Sequence, residues 1–503
     1  MRDSAVRTAL LLVVVVAVLV RLHTRSALWL DEALTVNIAS VPLTGLADAL
    51  RQDGAPPLYY ALLKGWTELF GAGNVAVRAL STVWALAALP LAYLAGSRLG
   101  DRTTGVCALV LVGVNPFAVS FATETRMYAM VSTLVLAGVV ALHAALRRPD
   151  LPRLAGVAIL AAALALTHYW ALFLLAVVGA GLLAAAVRGP VRPAARRCAV
   201  ALAAGGLLFL PWLPTFLFQN AHTGTPWADP PSYAAALQTV FAWAGGGTGP
   251  ALLLGVVTLG LIGVALVGRT ADVQGRTVLT LGPPVRSLAA LLTAVAVLTM
   301  LLGLTLTRVS SSGYAVRYSS VVLPVALLVA ALGLRALPRR ARLVVGALVV
   351  GCGLGGSLSA PFDSRRTQAP ITAGALSARL QPGDLVVYCP DQLGPAMHRL
   401  LPAGTPQIVY PTQAGPERID WVDYAERNGA ADPEAFATQV ARRTRGAVWL
   451  VYAEGYKTFR FQCQTLDESL EALRGDREQV LRPQGGYGEI HTLVRYSAAG
   501  PST

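Results

Sequence analysis

Two adjacent acids, Asp31 and Glu32, stand in Leu28-Trp29-Leu30-Asp31-Glu32-Ala33-Leu34, shortly after an apolar run from Thr8 to Val20. Carboxylates at the end of a hydrophobic helix are costly to hold near lipid, so they need a purpose. Just outside hydrocarbon, a carboxylate is suited to accept a proton from an attacking sugar or serine hydroxyl. Asp31 is the stronger candidate for that base. Glu32 lies about 100° away around a helix, so the two do not easily share one role. The bland alternative is a solvated helix-end pair that caps the next helix.

Three further stretches carry unusual residues. Asp53-Gly54-Ala55-Pro56-Pro57-Leu58-Tyr59-Tyr60 combines an acid with a stiff diproline platform. Asp53 is placed to position an acceptor or to orient the neighbourhood of Asp31; as an ordinary turn, the same residues start a helix. Glu124-Thr125-Arg126-Met127-Tyr128 opens an apolar span. Glu124 suits a helix N-terminus, but Arg126 opposes the helix dipole there. A phosphate relieves that conflict, since both the guanidinium and the helix terminus favour an anion. Arg317-Tyr318 starts another span, so Arg126 and Arg317 read as a phosphate clamp; two snorkelling arginines are the alternative. His168, between Thr167 and Tyr169, reads as a hydrogen-bonding turn residue within reach of the phosphate or the sugar. Trp227, Trp243 and Gly245-Gly246-Gly247 suggest a mobile aromatic loop able to stack on a sugar.

The elements that must position these residues are membrane spans. The chain has 503 residues, 55% hydrophobic and only 14% charged, with mean hydropathy +0.56. Soluble domains carry about 25% charged residues, so this is a large integral membrane protein. Its net charge of +14 would suggest a nucleic-acid partner in a soluble protein; here topology explains it, and no nucleic-acid partner is expected. Eleven apolar runs are long enough, or nearly so, to cross a bilayer: 6–22, 75–96, 104–121, 127–146, 154–167, 169–187, 198–217, 251–268, 287–307, 319–335 and 343–359. The fifth and sixth meet in a tight turn at His168. With a cytoplasmic N-terminus, alternate loops collect Arg98 and Arg102; Arg147, Arg148 and Arg153; Arg188, Arg192, Arg196 and Arg197; Arg269, Arg276 and Arg286; Arg335, Arg339, Arg340 and Arg342. That is the positive-inside pattern. Every candidate site residue then falls on the outer face of the cell membrane. Arg2 and Arg7 before an apolar run resemble a leader, but no small-residue cleavage pattern follows directly, so a span is expected.

The first outer loop, 23–74, has helical apolar spacing over 43–50 and 58–70, with Tyr59 and Trp66 as interface anchors; two surface helices are expected. The fold class expected is an α-helical polytopic membrane protein of about 11 spans with a C-terminal extracytoplasmic α/β domain. The division is 1–359 for the membrane domain and 360–503 for the outer domain. In the latter, 384–389, 447–452 and 492–496 read as strands and 434–443 as a helix. Cys107, Cys198 and Cys352 pack as small hydrophobes, while an outer location makes a Cys389–Cys463 disulfide plausible. No metal-type cysteine spacing is present, and no cofactor is expected.

Leu30-Asp31-Glu32, Asp53-x-x-Pro56-Pro57-Leu58-Tyr59-Tyr60, Glu124-x-Arg126-x-Tyr128 and Arg317-Tyr318 followed by Pro324 resemble the GT-C membrane glycosyltransferases. The nearer likeness is to the clan of protein O-mannosyltransferases and lipid A aminoarabinose transferases, and to its bacterial members described as mannosyltransferases. The resemblance covers about residues 1–340. It implies transfer of a sugar, mannose favoured, from a polyprenyl-phosphate donor to a hydroxyl of a glycan, lipid or protein acceptor. The reaction would be inverting, metal-independent and part of cell-envelope glycoconjugate synthesis. Asp31 matches the family's catalytic acid, and Arg126 and Arg317 match positions near the donor phosphate. The substrate-binding set then comprises Glu32, Asp53, Tyr59, Glu124, Arg126, Tyr128, His168, Arg317 and Tyr318. The family commonly has a histidine before the diproline; Ala55 stands there, which counts against a histidine contact and against the protein-modifying branch. A polytopic transporter or lipid flippase is the principal rival, but inverted repeats and broken midplane helices are not visible. A scaffold subunit leaves the acids and arginines unexplained.

Overall fold

The computed structural model describes residues 2–22, 24–188, 191–246, 249–273, 276–282, 287–310, 313–358 and 365–498. Gly247, Arg286 and Ser312 lie outside the described residues.

Apolar composition makes the chain a helical bundle, and helix length sets which helices span. Among the described residues seven helices are long and apolar enough to cross a membrane: Asn74–Leu99 (α5), Tyr128–Arg147 (α8), Trp170–Arg188 (α10), Arg192–His222 as Arg192–Leu207 (α11) and Leu213–His222 (α12) with a short break between them, Gly249–Val267 (α14, after the short helix α13, Ala235–Trp243), Leu288–Val309 (α15) and Arg339–Ser357 (α17). Arg102–Val114 (α6) and Pro116–Ala122 (α7) pass the same test only when taken together, with a bend of 61° between them. Asn115 caps α7 by accepting the Ala118 N–H, and proline at the first helical position stops α6 from continuing. Ser4–Leu19, within α1 (Arg2–Leu19), is one of three shorter apolar helices; the others are Leu151–Thr167 (α9) and Leu323–Ala336 (α16). Among the described residues this gives seven candidate crossings, or eight with the bent pair, of a multi-pass membrane protein, where the sequence suggested eleven; the three shorter helices fall short of a full span by length. A turn of two residues, His168 and Tyr169, joins α9 to α10.

The segment after α1 differs from the sequence expectation. It holds three helices, not two: Leu30–Ala39 (α2), Leu43–Asp53 (α3) and Leu58–Phe70 (α4). Asp31 and Glu32 lie in the first turn of α2 and do not end α1, because residues after Leu19 leave helical conformation. Tyr59 is fully buried with its hydroxyl against Ser81 Oγ at 2.9 Å, so it is no interface anchor. Trp66 donates to Ala76 O at 2.8 Å. Gly54 ends α3 at φ +85°, and a Cβ there would stand 2.7 Å from Thr223 Oγ1, so glycine alone lets α12 approach.

The α6–α7 bend is braced by Arg21. Its guanidinium donates to Ala17 O and Gly113 O at 2.7 Å and to Val112 O at 2.8 Å, satisfying carbonyls that the break leaves open. At the other end of the bundle Arg335 meets Asp101 at 2.8 Å, tying α16 to the start of α6. Two strands, Gly268–Val273 (β1) and Arg276–Leu281 (β2), form an antiparallel hairpin where the sequence suggested only an arginine-bearing loop.

The C-terminal region is α/β. Its sheet runs β4-β3-β5-β7-β6 over Gln407–Val409 (β4), Leu385–Cys389 (β3), Val448–Tyr452 (β5), Thr492–Tyr496 (β7) and Glu478–Leu481 (β6). β3 pairs parallel with β4 and β5, while β7 pairs antiparallel with β5 and β6. Every residue of β3 and β5 is buried, as continuous apolar central strands require. Cys389 and Cys463 are disulfide-bonded, joining the end of β3 to the helix Gln462–Arg474.

Candidate active site

The two acids diverge, as their helical spacing demands. Glu32 turns inward and is fully buried. Its carboxylate accepts from Arg78 Nε at 2.7 Å, from Arg78 Nη2 at 2.5 Å and from Thr125 N at 2.9 Å. Arg366 Nη1 stands 3.7 Å away. Arg78 also donates to Ser26 O and Ala27 O, so its fork is saturated. Glu32 therefore fastens α2 to α5 and to the 123–127 turn and has no oxygen to offer a ligand, contrary to the expectation that it binds substrate. Tyr59 is likewise enclosed and supports α5 from behind.

Asp31 turns the other way, into a half-buried hollow. Its Oδ2 lies 3.3 Å from Arg317 Nη1, with the side chains 16% and 23% exposed. Arg126 reaches the same place from the turn before α8, donating to Thr35 Oγ1 at 2.7 Å and to Asp31 O at 3.4 Å. Arg126 precedes the helix, which starts at Tyr128. Around these charges stand rings. The Arg317 guanidinium lies 5.1 Å from the Trp227 ring centre, and Arg126 lies 5.9 Å from that of Tyr128. His168 packs between Tyr128 at 5.7 Å and Tyr318 at 5.5 Å. Its Nδ1 accepts the Trp170 N–H, and burial first, then Arg126 and Arg317, hold the ring neutral with its pKa lowered to about 3. It is a packed aromatic with a fixed tautomer, poorly suited to proton transfer. Asp53 accepts from Tyr60 Oη at 3.0 Å, and burial pushes its carboxyl upward against the pull of Arg126.

The hollow is incompletely satisfied. Asp31 Oδ2, Glu124 Oε1, Thr125 Oγ1, Arg126 Nε and Arg317 Nε are enclosed and make no hydrogen bond. Buried polar atoms are ordinarily paired, so Asp31 Oδ2, Arg126 Nε and Arg317 Nε leave one acceptor and two donors here for a polar ligand. Glu124 is pushed up to about 7, chiefly by burial and also by Glu32 and Asp31, with Arg366 opposing. The Arg126 guanidinium is held firmly cationic by Asp31 despite its burial. Beside Tyr128 a small cavity of about 30 Å³ lies between α5, α6, α7, α8 and α16, lined by Phe117, Phe121, Ser132, Leu136, Pro324 and Leu327. Among the described residues, no group of three or more His, Cys, Asp or Glu side chains is arranged to hold a metal ion.

The structure thus brings together Asp31, Asp53, Arg126, Tyr128, His168, Arg317, Tyr318 and Trp227. Sequence reasoning missed Arg78, Thr35, Arg366 and Glu489. Arg78 had a signal, a lone cation near the start of a long apolar run. Nothing in the sequence marks the others.

Two crystal structures of ArnT from Cupriavidus metallidurans share this architecture at 13% identity. The apo form has a TM-score of 0.64 over 100% of both chains. The form bound to undecaprenyl phosphate has 0.63 over 99% of this chain and 100% of that one. An Archaeoglobus fulgidus oligosaccharyltransferase, in complex with Zn and sulfate, matches at TM-score 0.54 and 12% identity over 87% of this chain and 67% of that chain. No family model matches the sequence, and no curated protein matches it either. The likeness lies in the fold.

Proposed function

We propose that this GT-C-fold chain is a glycosyltransferase that moves a sugar from a polyprenyl-phosphate donor to an acceptor hydroxyl, on the membrane face opposite the arginine-rich loops. The observation that carries the reading is the Asp31–Arg317 contact at 3.3 Å beside Arg126, in a hollow whose polar atoms lack partners. ArnT has been captured with undecaprenyl phosphate, so a lipid-linked phosphate suits this architecture.

In the resting site Arg317 neutralises Asp31. A donor phosphate offers Arg317 a better partner, because a guanidinium grips phosphate through paired donors. Its unused Nε and that of Arg126 supply further donors. As Arg317 turns to the phosphate, the Asp31 carboxylate is released from it and is free to accept from the acceptor hydroxyl. Donor binding thereby readies the base. Asp31 then takes the proton of the acceptor hydroxyl, and that oxygen attacks the anomeric carbon. The bond from that carbon to the phosphate oxygen breaks, and the electron pair leaves with the polyprenyl phosphate. Arg126 and Arg317 hold the charge that develops there. A single displacement inverts the anomeric centre. Phosphate is a good leaving group and two guanidinium groups face it, so the step needs no metal. Trp227 and Tyr318 offer faces on which a sugar stacks. Mannose is the sugar we favour, with a cell-envelope glycan, lipid or protein as acceptor.

Membranes containing the protein, given polyprenyl-phosphate sugar labelled in the sugar, test this. The expected result is label in an acceptor and release of free polyprenyl phosphate. Movement of intact labelled lipid between leaflets, with no release, would make the chain a flippase.

A further inference from the structure

The C-terminal domain does more than sit beside the hollow. Residues 365–368 run next to 488–491, joined by Gly488 N to Arg365 O, Glu489 N to Arg366 O and Gln368 N to Glu489 O, all at 2.9–3.0 Å. Gln368, fully buried, ties the ladder further by accepting the Gln484 and His491 N–H groups. Arg366 and Glu489 are neighbours on this ladder, and both point at the first helix of the candidate site. Arg366 donates to Thr123 O at 3.2 Å and Thr123 Oγ1 at 2.9 Å and stands near Glu32. Glu489 Oε1 accepts the Leu30 N–H at 2.6 Å across 459 residues of sequence.

Leu30 is the first residue of α2, and its N-cap Trp29 has no side chain able to cap. The opening N–H groups of a helix need acceptors. For α2 that acceptor comes from another domain, one residue before Asp31. We propose that Glu489 is a positioning residue for the reaction at Asp31: it caps α2 from the C-terminal domain and, with Arg366, fixes both the first turn of α2 and the 123–127 turn. The proposal rests on the transferase reading above for its kinetic part, and on the geometry alone for its structural part. A displacement of about 1 Å in a catalytic group can cost on the order of a hundredfold in rate, so a cap at this position controls turnover without touching substrate.

Glu489 also has an unusual charge state. Burial pushes its carboxyl up to about 8, with Asp31 and Glu32 adding to the rise and the Thr367 and Leu30 hydrogen bonds opposing it; Tyr456 faces it as well. The folded protein therefore holds a proton here that an unfolded chain, with a glutamate pKa of about 4.3, has released. Stability from this group is present at acid pH and falls as pH rises through that window. Glu124 tilts the wild-type curve the same way, so the comparison with Glu489→Gln isolates Glu489.

The test uses the full chain in nanodiscs. Glu489→Ala is expected to speed hydrogen exchange in the peptide 28–34 and to lower kcat about 10- to 100-fold, with donor KM within about twofold. Glu489→Gln, which keeps a carbonyl acceptor, should reverse both effects and flatten the loss of thermal half-life between pH 5 and pH 8. Unchanged exchange at 28–34 in Glu489→Ala overturns the proposal. So does a loss that glutamine fails to restore. Local loosening in a protein whose wild type transfers no sugar would instead sink the transferase reading and keep the cap.

Discussion

Replacing Asp31 by asparagine separates chemistry from architecture. Asparagine has the same shape, and its carbonyl can still face Arg317, so the hollow should persist. What disappears is the proton acceptor. Loss of a general base costs about 10²- to 10⁴-fold in rate, or ~3–5 kcal/mol of transition-state stabilisation. Donor binding should move the other way. In the wild type Arg317 must leave a carboxylate to reach a phosphate; a half-buried pair with no hydrogen bond between its partners is worth ~1 kcal/mol, which is about fivefold in affinity. Asp31→Asn is therefore expected to bind donor as well as wild type or up to about fivefold more tightly, while single-turnover transfer falls by at least a hundredfold. The assay is rapid-quench release of labelled sugar in nanodiscs, with polyprenyl-phosphate affinity measured separately. Transfer within about threefold of wild type would remove Asp31 from the role of base. Weaker donor binding together with slow transfer would mean that the hollow had collapsed, and the argument from charge exchange would fail.

Arg126→Ala should raise donor KM about 10- to 100-fold, as expected for lost charge-assisted hydrogen bonds; unchanged donor affinity in a binding titration would refute the clamp. Arg78→Ala leaves the enclosed Glu32 with the Thr125 N–H and the more distant Arg366 as its remaining partners, which should cost ~3–5 kcal/mol and appear as a large drop in thermal half-life. Full thermal resistance in that variant would show that Glu32 is not held as described. Cys389→Ser opens a link between positions 74 residues apart and should destabilise the C-terminal domain by ~2–4 kcal/mol, read by limited proteolysis with the membrane helices intact.

Much of the bundle was legible without coordinates. Apolar runs and turn residues are local signals, so the long apolar helices and the tight His168 turn follow from short stretches of chain. The strands β3, β5 and β7 announce themselves in the same way, as short apolar segments rich in valine and aromatics. Local pattern fails where a segment is polar enough to be surface yet packed by distant partners. Helix α2 was invisible for that reason: ten residues with two acids in the first turn have little helical signature until Arg78, Arg366 and Glu489 hold them.

By itself the sequence determined a polytopic helical protein with acids and arginines at helix ends, because hydrophobic length and residue type act over a few turns. Only the tertiary structure decided which acid does what. Glu32 is locked against Arg78 and Asp31 is left facing Arg317, although the two acids are adjacent and alike in chemistry. The first helical turn of α2 sends them in different directions, and partners 46 and 286 positions away decide what each meets. Such meetings are set by packing across the whole chain, and no stretch of neighbouring residues encodes them.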